Sequence, residues 1–72
     1  MLDKIKYAIY KEGFVNQDGS IVDPIRVGRY KSKESAMLML RIKYNNGSYY
    51  VQEVKVDNGE ILSTDKEPIY LD

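Results

Sequence analysis

The chain has 72 residues, 43% of them hydrophobic and 31% charged, and its 11 Lys and Arg residues balance 11 Asp and Glu residues. This size and composition are typical of one small globular domain over residues 1–72, with little stability to spare because short chains bury a modest share of their surface. The absence of Cys and His excludes a disulfide framework, a thiolate nucleophile, an imidazole base and cysteine-based metal sites.

The charges are unevenly distributed along the chain. Residues 1–44 hold nine Lys and Arg against five Asp and Glu, whereas residues 45–72 hold two against six. The acidic second part argues against a general affinity for phosphate backbones. The longest apolar run, 36–40, is too short for a signal peptide or a membrane span, so we expect a cytoplasmic protein without membrane contact.

The first predicted element is a strand over residues 4–11. Apolar and polar residues alternate there, which indicates a strand buried on one face only. Ile5, Tyr7 and Ile9 fall on the predicted core face. The opposite face carries Lys4, Lys6, Ala8 and Tyr10.

A broken hairpin follows this strand. Gly13 is typical of a bend, and we expect it to return Phe14 and Val15 to the core. Asp18-Gly19 predicts a hairpin turn. Pro24 cannot donate a hydrogen bond to a strand partner, so it predicts a break before the strand continues over residues 25–30.

A helix of about three turns is predicted over residues 32–44. Ser32 is suited to cap its first turn, and Asn45-Asn46-Gly47 supplies residues that tolerate the backbone just past a helix end. At about 100° per residue, two apolar faces result. The predicted core face holds Ala36, Met37, Leu40 and Tyr44, and the other holds Leu38, Met39 and Ile42.

An alternative for the same segment is a strand. Residues 40–44 alternate with period two, and Asn46-Gly47 is a strong signal for a type I′ turn before another strand. We favour the helix because residues 36–40 have high helix propensity and lack β-branching.

The last part of the chain predicts a second hairpin. Residues 49–56 are rich in β-branched and aromatic types, and residues 57–60 form a turn signal before Ile61-Leu62. Tyr50, Val54 and Val56 share one face, which we assign to the core. Residues 69–71 are expected to add a short strand or to pack across the helix end.

These elements predict an α+β domain of order β-β-α-β-β. Its four-stranded, mostly antiparallel sheet would carry one helix on one face, with a small all-β barrel as the alternative. No sequence motif here identifies a single known family.

The sequence does not favour an enzyme. Its carboxylates lie mostly in turns, where Asp and Glu serve the local backbone, and no Gly-rich phosphate loop or calcium-loop spacing is present. We expect no catalytic residues, no cofactor and no metal.

The favoured function is protein binding by a small accessory or inhibitory protein, a type common among phage and mobile-element proteins. A domain this small can cover only one face of its helix, so Leu38, Met39 and Ile42 are predicted to contact a protein partner or a second copy. The competing explanation is that residues 69–71 fold over them.

Seven tyrosines also suit a recognition surface. Tyr10 and Tyr49, on predicted outer faces, are the candidates for it, whereas Tyr7, Tyr44 and Tyr50 would fill core edges. Two alternative functions stay open. One is a nucleic-acid-binding sheet face that combines these tyrosines with basic residues (Lys4, Lys6, Arg26 and Lys55), and the other is sequestration of a small ligand.

Overall fold

A computed structural model describes residues 4–62 and 66–71. Its elements are, in chain order, β1 (Lys4–Lys11), β2 (Phe14–Val15), β3 (Ile21–Val22), β4 (Ile25–Tyr30), α1 (Lys33–Ile42), β5 (Tyr49–Asp57) and β6 (Glu60–Leu62). β4, β1, β5 and β6 form a four-stranded antiparallel sheet in that order, curled like half of a barrel, and β2 and β3 form a separate pair. The predicted α+β class is confirmed.

The helix forms where the capping and propensity signals placed it. The Ser32 hydroxyl oxygen accepts a hydrogen bond from the Ser35 backbone N–H at 3.1 Å, which satisfies one of the unpaired donors of the first turn. Lys43 ends the helix with its N–H still bonded to the carbonyl of Met39. The alternative strand over residues 40–44 is therefore wrong, because helix propensity outweighed a short alternating pattern.

Two features near the chain's end, a turn and a short strand pairing, match their sequence signals. Asn58 and Gly59 have φ angles of 50° and 83°, which a type I′ turn requires, and they join β5 to β6. Further along, Ile69 exchanges both backbone hydrogen bonds with Val51, at 2.9 and 2.8 Å. The expected final strand is thus a single bridge on the outer edge of β5.

The main core lies between α1 and one face of the sheet. Ile9, Ala36, Leu40 and Val51 are fully buried there, with Tyr7, Tyr30, Ile69 and Leu71 packed around them. Ile9 and Val51 are register partners in β1 and β5, so they share this face. The helix-facing positions of Tyr7 and Ile9 in β1 are confirmed, whereas Ile5 is 42% exposed and Ala8, predicted on the outer face, is fully buried.

A second, smaller cluster lies on the sheet face opposite the helix, which we call the second face. It consists of Ala8, Val54 and Val56, with Tyr10 and Ile61 packed against them. Val54 and Val56 are buried as predicted, but their expected packing against the helix is wrong. β5 has apolar residues on both faces, so its pattern alone does not show which face the helix covers.

The first hairpin runs past the end of the sheet. We call residues 13–24, which contain β2 and β3, the arm. Among the described elements, β2 and β3 lie within contact distance only of each other. The chain has a radius of gyration of 13.1 Å, against about 11 Å for a compact domain of this length. The arm therefore extends from the sheet and does not pack on it.

Phe14 and Val15 do not return to the core, and that prediction is wrong. They are 53% and 67% exposed. A Cβ on Gly13 would lie 2.3 Å from the carbonyl oxygen of Val22. The backbone segments at Gly13 and Val22 therefore lie too close together for any larger residue at position 13. The bend at Gly13 thus joins two ladders at the root of the arm. The predicted break at Pro24 is confirmed by the gap between β3 and β4.

Candidate protein-binding surface

Apolar side chains remain exposed on the side of α1 that faces away from the sheet. Leu38 and Ile42 are 53% and 66% exposed. They lie four residues apart, so they are neighbours on one face of the helix. Glu34, Ser35 and Arg41 are also exposed on α1 and lie on the same side. We call these five residues the helix outer face.

Met39 does not belong to this face. It is half-buried and packs against the main core, as Met37 does. On a helix whose buried centre is Ala36 and Leu40, residues 37 and 39 fall on opposite flanks, and each long side chain reaches back to the sheet. The predicted exposure of Met39 is therefore wrong, whereas the exposure of Leu38 and Ile42 is confirmed.

The arm also exposes apolar side chains, among them Phe14 and Val15, which were predicted to lie in the core. Phe14 pairs with Val22 and Val15 pairs with Ile21, so apolar side chains occupy both sides of the ladder. Ile21 is 73% exposed. The sequence does contain a signal for this exposure. A two-stranded hairpin with apolar residues on both of its sides cannot bury both sides by itself.

Local hydrogen bonds order the tip of the arm. The Asn16 N–H donates to the Ser20 carbonyl at 2.8 Å, which closes the turn. The Asp18 carboxylate accepts bonds from the Ser20 hydroxyl and N–H at 2.7 and 2.9 Å. These bonds stabilise the ionised carboxylate and lower the pKa of Asp18. The arm is thus preorganised although it packs on no other element of the described chain.

The two tyrosines proposed for recognition lie on opposite faces of the sheet. Tyr49 packs with the main core, and its ring centroid is 4.8 Å from that of Tyr44. Its predicted outward position is therefore wrong. Tyr10 lies on the second face, stacked against Tyr50 at 5.7 Å between centroids. Tyr70 follows at 5.6 Å from Tyr50. We call Tyr10, Tyr50 and Tyr70 the tyrosine row.

The hydroxyls of several tyrosines are held in their neutral form. Partial burial, followed by the charges of Tyr10 and Glu12, raises the pKa of Tyr50. Burial and then a hydrogen bond with Glu12 raise the pKa of Tyr70. On the helix side, burial and a bond from the Tyr7 hydroxyl to Glu53 at 3.2 Å raise the pKa of Tyr7. Glu12, next to the root of the arm, therefore lies close to Tyr50 and Tyr70.

Register collects basic residues on the second face beside the tyrosine row. Lys4 and Lys6 pair with Val56 and Val54 of the second cluster, and Arg26 and Arg29 pair with Tyr10 and Ala8. Lys55 pairs with Ile5 and so lies on the helix side. Of the four basic residues that the sequence grouped with Tyr10, three share its face. Arg29 was missed because the bulge between Ile9 and Tyr10 shifts the pairing with β4.

Within residues 4–62 and 66–71, no group of three or more Asp and Glu side chains is placed to hold a metal ion. None of the helices in these ranges is long and apolar enough to cross a membrane. What the described surfaces offer is apolar contact from the arm and helix and polar, aromatic contact from the second face.

Comparison with known proteins found no matching family model, no matching curated protein and no matching solved structure.

Proposed function

We propose that this chain is a non-enzymatic protein-binding module that acts as a small accessory or inhibitory protein. It docks through the exposed apolar side chains of the arm and the helix outer face. The observation that carries the proposal is the arm, an ordered two-stranded ladder with apolar residues on both sides and no cover from the described elements. The proposal keeps the expected cytoplasmic location and a phage or mobile-element origin, which suits the small size of the chain.

The energetics of the arm support a role in binding. An isolated two-stranded hairpin is marginally stable in water, because its few hydrogen bonds barely offset the entropy of ordering the chain. Three of its apolar residues, Phe14, Val15 and Ile21, lie largely in water and contribute little stability there. Covered by a partner, each large side chain contributes about 1.5–3 kcal/mol of burial free energy. The hydrogen bonds that close its turn reduce the entropy that the arm loses on docking.

The helix outer face fits the same purpose. Leu38 and Ile42 form an apolar pair flanked by Glu34 and Arg41. An apolar centre with a charged rim is the usual composition of a protein interface. Leu38→Glu or Ile42→Lys is therefore expected to leave the fold intact while it weakens partner binding.

Photocrosslinking in the native host tests this proposal. A photoreactive phenylalanine analogue replaces Val15 in the arm, and a matched variant carries it at Lys55, which is exposed on the sheet. We expect protein adducts from position 15 and few from position 55, identified by mass spectrometry. Equal, diffuse labelling from both positions, or none from position 15, would contradict the proposal.

A second candidate function is single-stranded nucleic-acid binding by the second face. It is favoured by the register that places Lys4, Lys6 and Arg26 beside the tyrosine row. Bases stack on aromatic rings while cations contact the phosphates. Charge reversal at Lys6 or Arg26 should then weaken a salt-sensitive mobility shift, with Lys55→Glu as the control from the other face. No shift at low salt would contradict this function.

A further inference from the structure

The arm and the segment that contains α1 carry opposite net charges. Residues 13–24 contain two carboxylates, Asp18 and Asp23, and no Lys or Arg. Residues 31–43 contain four cations and one carboxylate. Both carboxylates of the arm are exposed, as are Lys31, just before α1, and Arg41 of the helix outer face. The arm thus bears a net charge of −2 and residues 31–43 a net charge of +3, although Glu34 and Arg41 balance each other on the helix outer face itself.

Their positions allow two copies of the chain to exchange arms. Lys11 and Ile25 pair where the arm leaves the sheet, and Lys11 also pairs with Tyr49. The ring of Tyr44, just past the helix, packs on Tyr49. The C-terminal end of α1 and the root of the arm thus share one end of the sheet. Two copies that meet at this end across a two-fold axis can each extend the arm along the other's helix.

The surface area agrees with one such contact. The chain has an accessible surface of 5490 Å², whereas a compact monomer of its mass would have about 4600 Å². The excess is similar to the roughly 800 Å² that each partner buries in a standard interface. A net charge of zero also leaves no overall repulsion between copies.

We propose that the partner of the arm is a second copy of this chain, in a reciprocal dimer in which each arm lies on the other copy's helix outer face. This inference rests on the proposed function and names its partner. Val15 and Ile21, which share one side of the arm, supply the apolar contact, and Leu38 and Ile42 receive it. Asp18 and Asp23 face the basic surroundings of the helix.

A charge exchange between two variants tests the dimer. The arm variant carries Gln17→Lys and Asp23→Lys and keeps Asp18, which holds the turn. The helix variant carries Lys31→Glu and Arg41→Glu. In each variant alone, arm and helix then bear the same sign, so both should sediment at the 8.4 kDa of one chain. An equimolar mixture should sediment at twice that mass, because each arm again meets a helix of opposite charge.

The wild-type chain should also sediment as a dimer that weakens as salt screens the charges. Circular dichroism should show all variants folded, and Lys55→Glu should dimerise like the wild type. A mixture that stays monomeric, or a variant that dimerises alone, overturns the inference. A wild type that stays monomeric overturns it as well. Photocrosslinks from position 15 to a different protein would then leave the proposed function standing, and the lack of any adduct would end both.

Discussion

Two leucines on α1 lie in opposite environments, Leu40 in the core and Leu38 on the exposed surface. Leu40 is fully buried between α1 and the sheet, whereas Leu38 is 53% exposed. Leu40→Ala removes core contacts and leaves a cavity, and such changes cost about 2–5 kcal/mol. A domain of 72 residues has a total stability of about 4–11 kcal/mol. Leu40→Ala should therefore unfold a large part of the population or lower the melting temperature severely.

Leu38→Ala is the matched control, because the chemical change and the helix are the same. About half of its side chain is already in water, so its loss should cost about 1 kcal/mol or less. Urea unfolding followed by circular dichroism, at a concentration low enough to keep the chain monomeric, measures both values. Similar losses for the two variants would refute the distinction between the core and the helix outer face.

Three other changes probe the cap, the root of the arm and the tyrosines. Ser32→Ala should lower the free energy of unfolding by about 0.5–2 kcal/mol through loss of the helix cap, measured by urea unfolding, while Ser35→Ala, which keeps the capped N–H, should cost little; equal losses would contradict the cap. Gly13→Ala should shift the arm, because the new Cβ meets the Val22 carbonyl oxygen. Hydrogen exchange should then rise in the arm and stay unchanged in β5. An equal rise in both would contradict the claim that the arm does not pack on the sheet. The raised pKa of Tyr7 means that its neutral form contributes stability below pH 10, its ordinary value, and that this contribution is lost as the pH rises through the folded pKa. Tyr7→Phe should therefore flatten the fall in stability as the pH rises above 10, and an unchanged slope would contradict the raised pKa.

Local signals predicted most of the fold because each depends on a few adjacent residues. The Ser32 cap, the Asn58-Gly59 turn and the break at Pro24 all follow from backbone conformations that these residue types favour. The alternation of β1 identified Ile9 as core. Such signals need no knowledge of what lies across the sheet.

The errors arose where burial depends on distant partners. Tyr49 and Val51 face the helix because of how β5 aligns with β1, and no local pattern in β5 shows that alignment, since both of its faces are partly apolar. Phe14 and Val15 were assigned to the core because apolar residues usually are buried. Their exposure follows from the bend at Gly13, which directs the chain past the sheet and not back onto it.

The candidate surface was predicted only in part, because the burial of some of its residues also depends on distant partners. Leu38 and Ile42 followed from helical periodicity, which fixes their side of α1 once Ala36 and Leu40 are buried. Met39 was misassigned because it lies at the flank of the helix, where a flexible side chain decides its own burial. The exposure of the arm could be predicted only from the fact that nothing in a two-stranded hairpin covers both of its sides.

The fluorescence of a single tryptophan in the arm tests the central claim most directly. The chain contains no Trp, so Val15→Trp reports only on the arm. We expect emission typical of a solvent-exposed indole in dilute protein, and a blue shift as rising concentration brings a second copy over the arm. Blue-shifted emission at every dilution would mean that the subunit covers its own arm. Exposed emission at every concentration would mean that no second copy covers it.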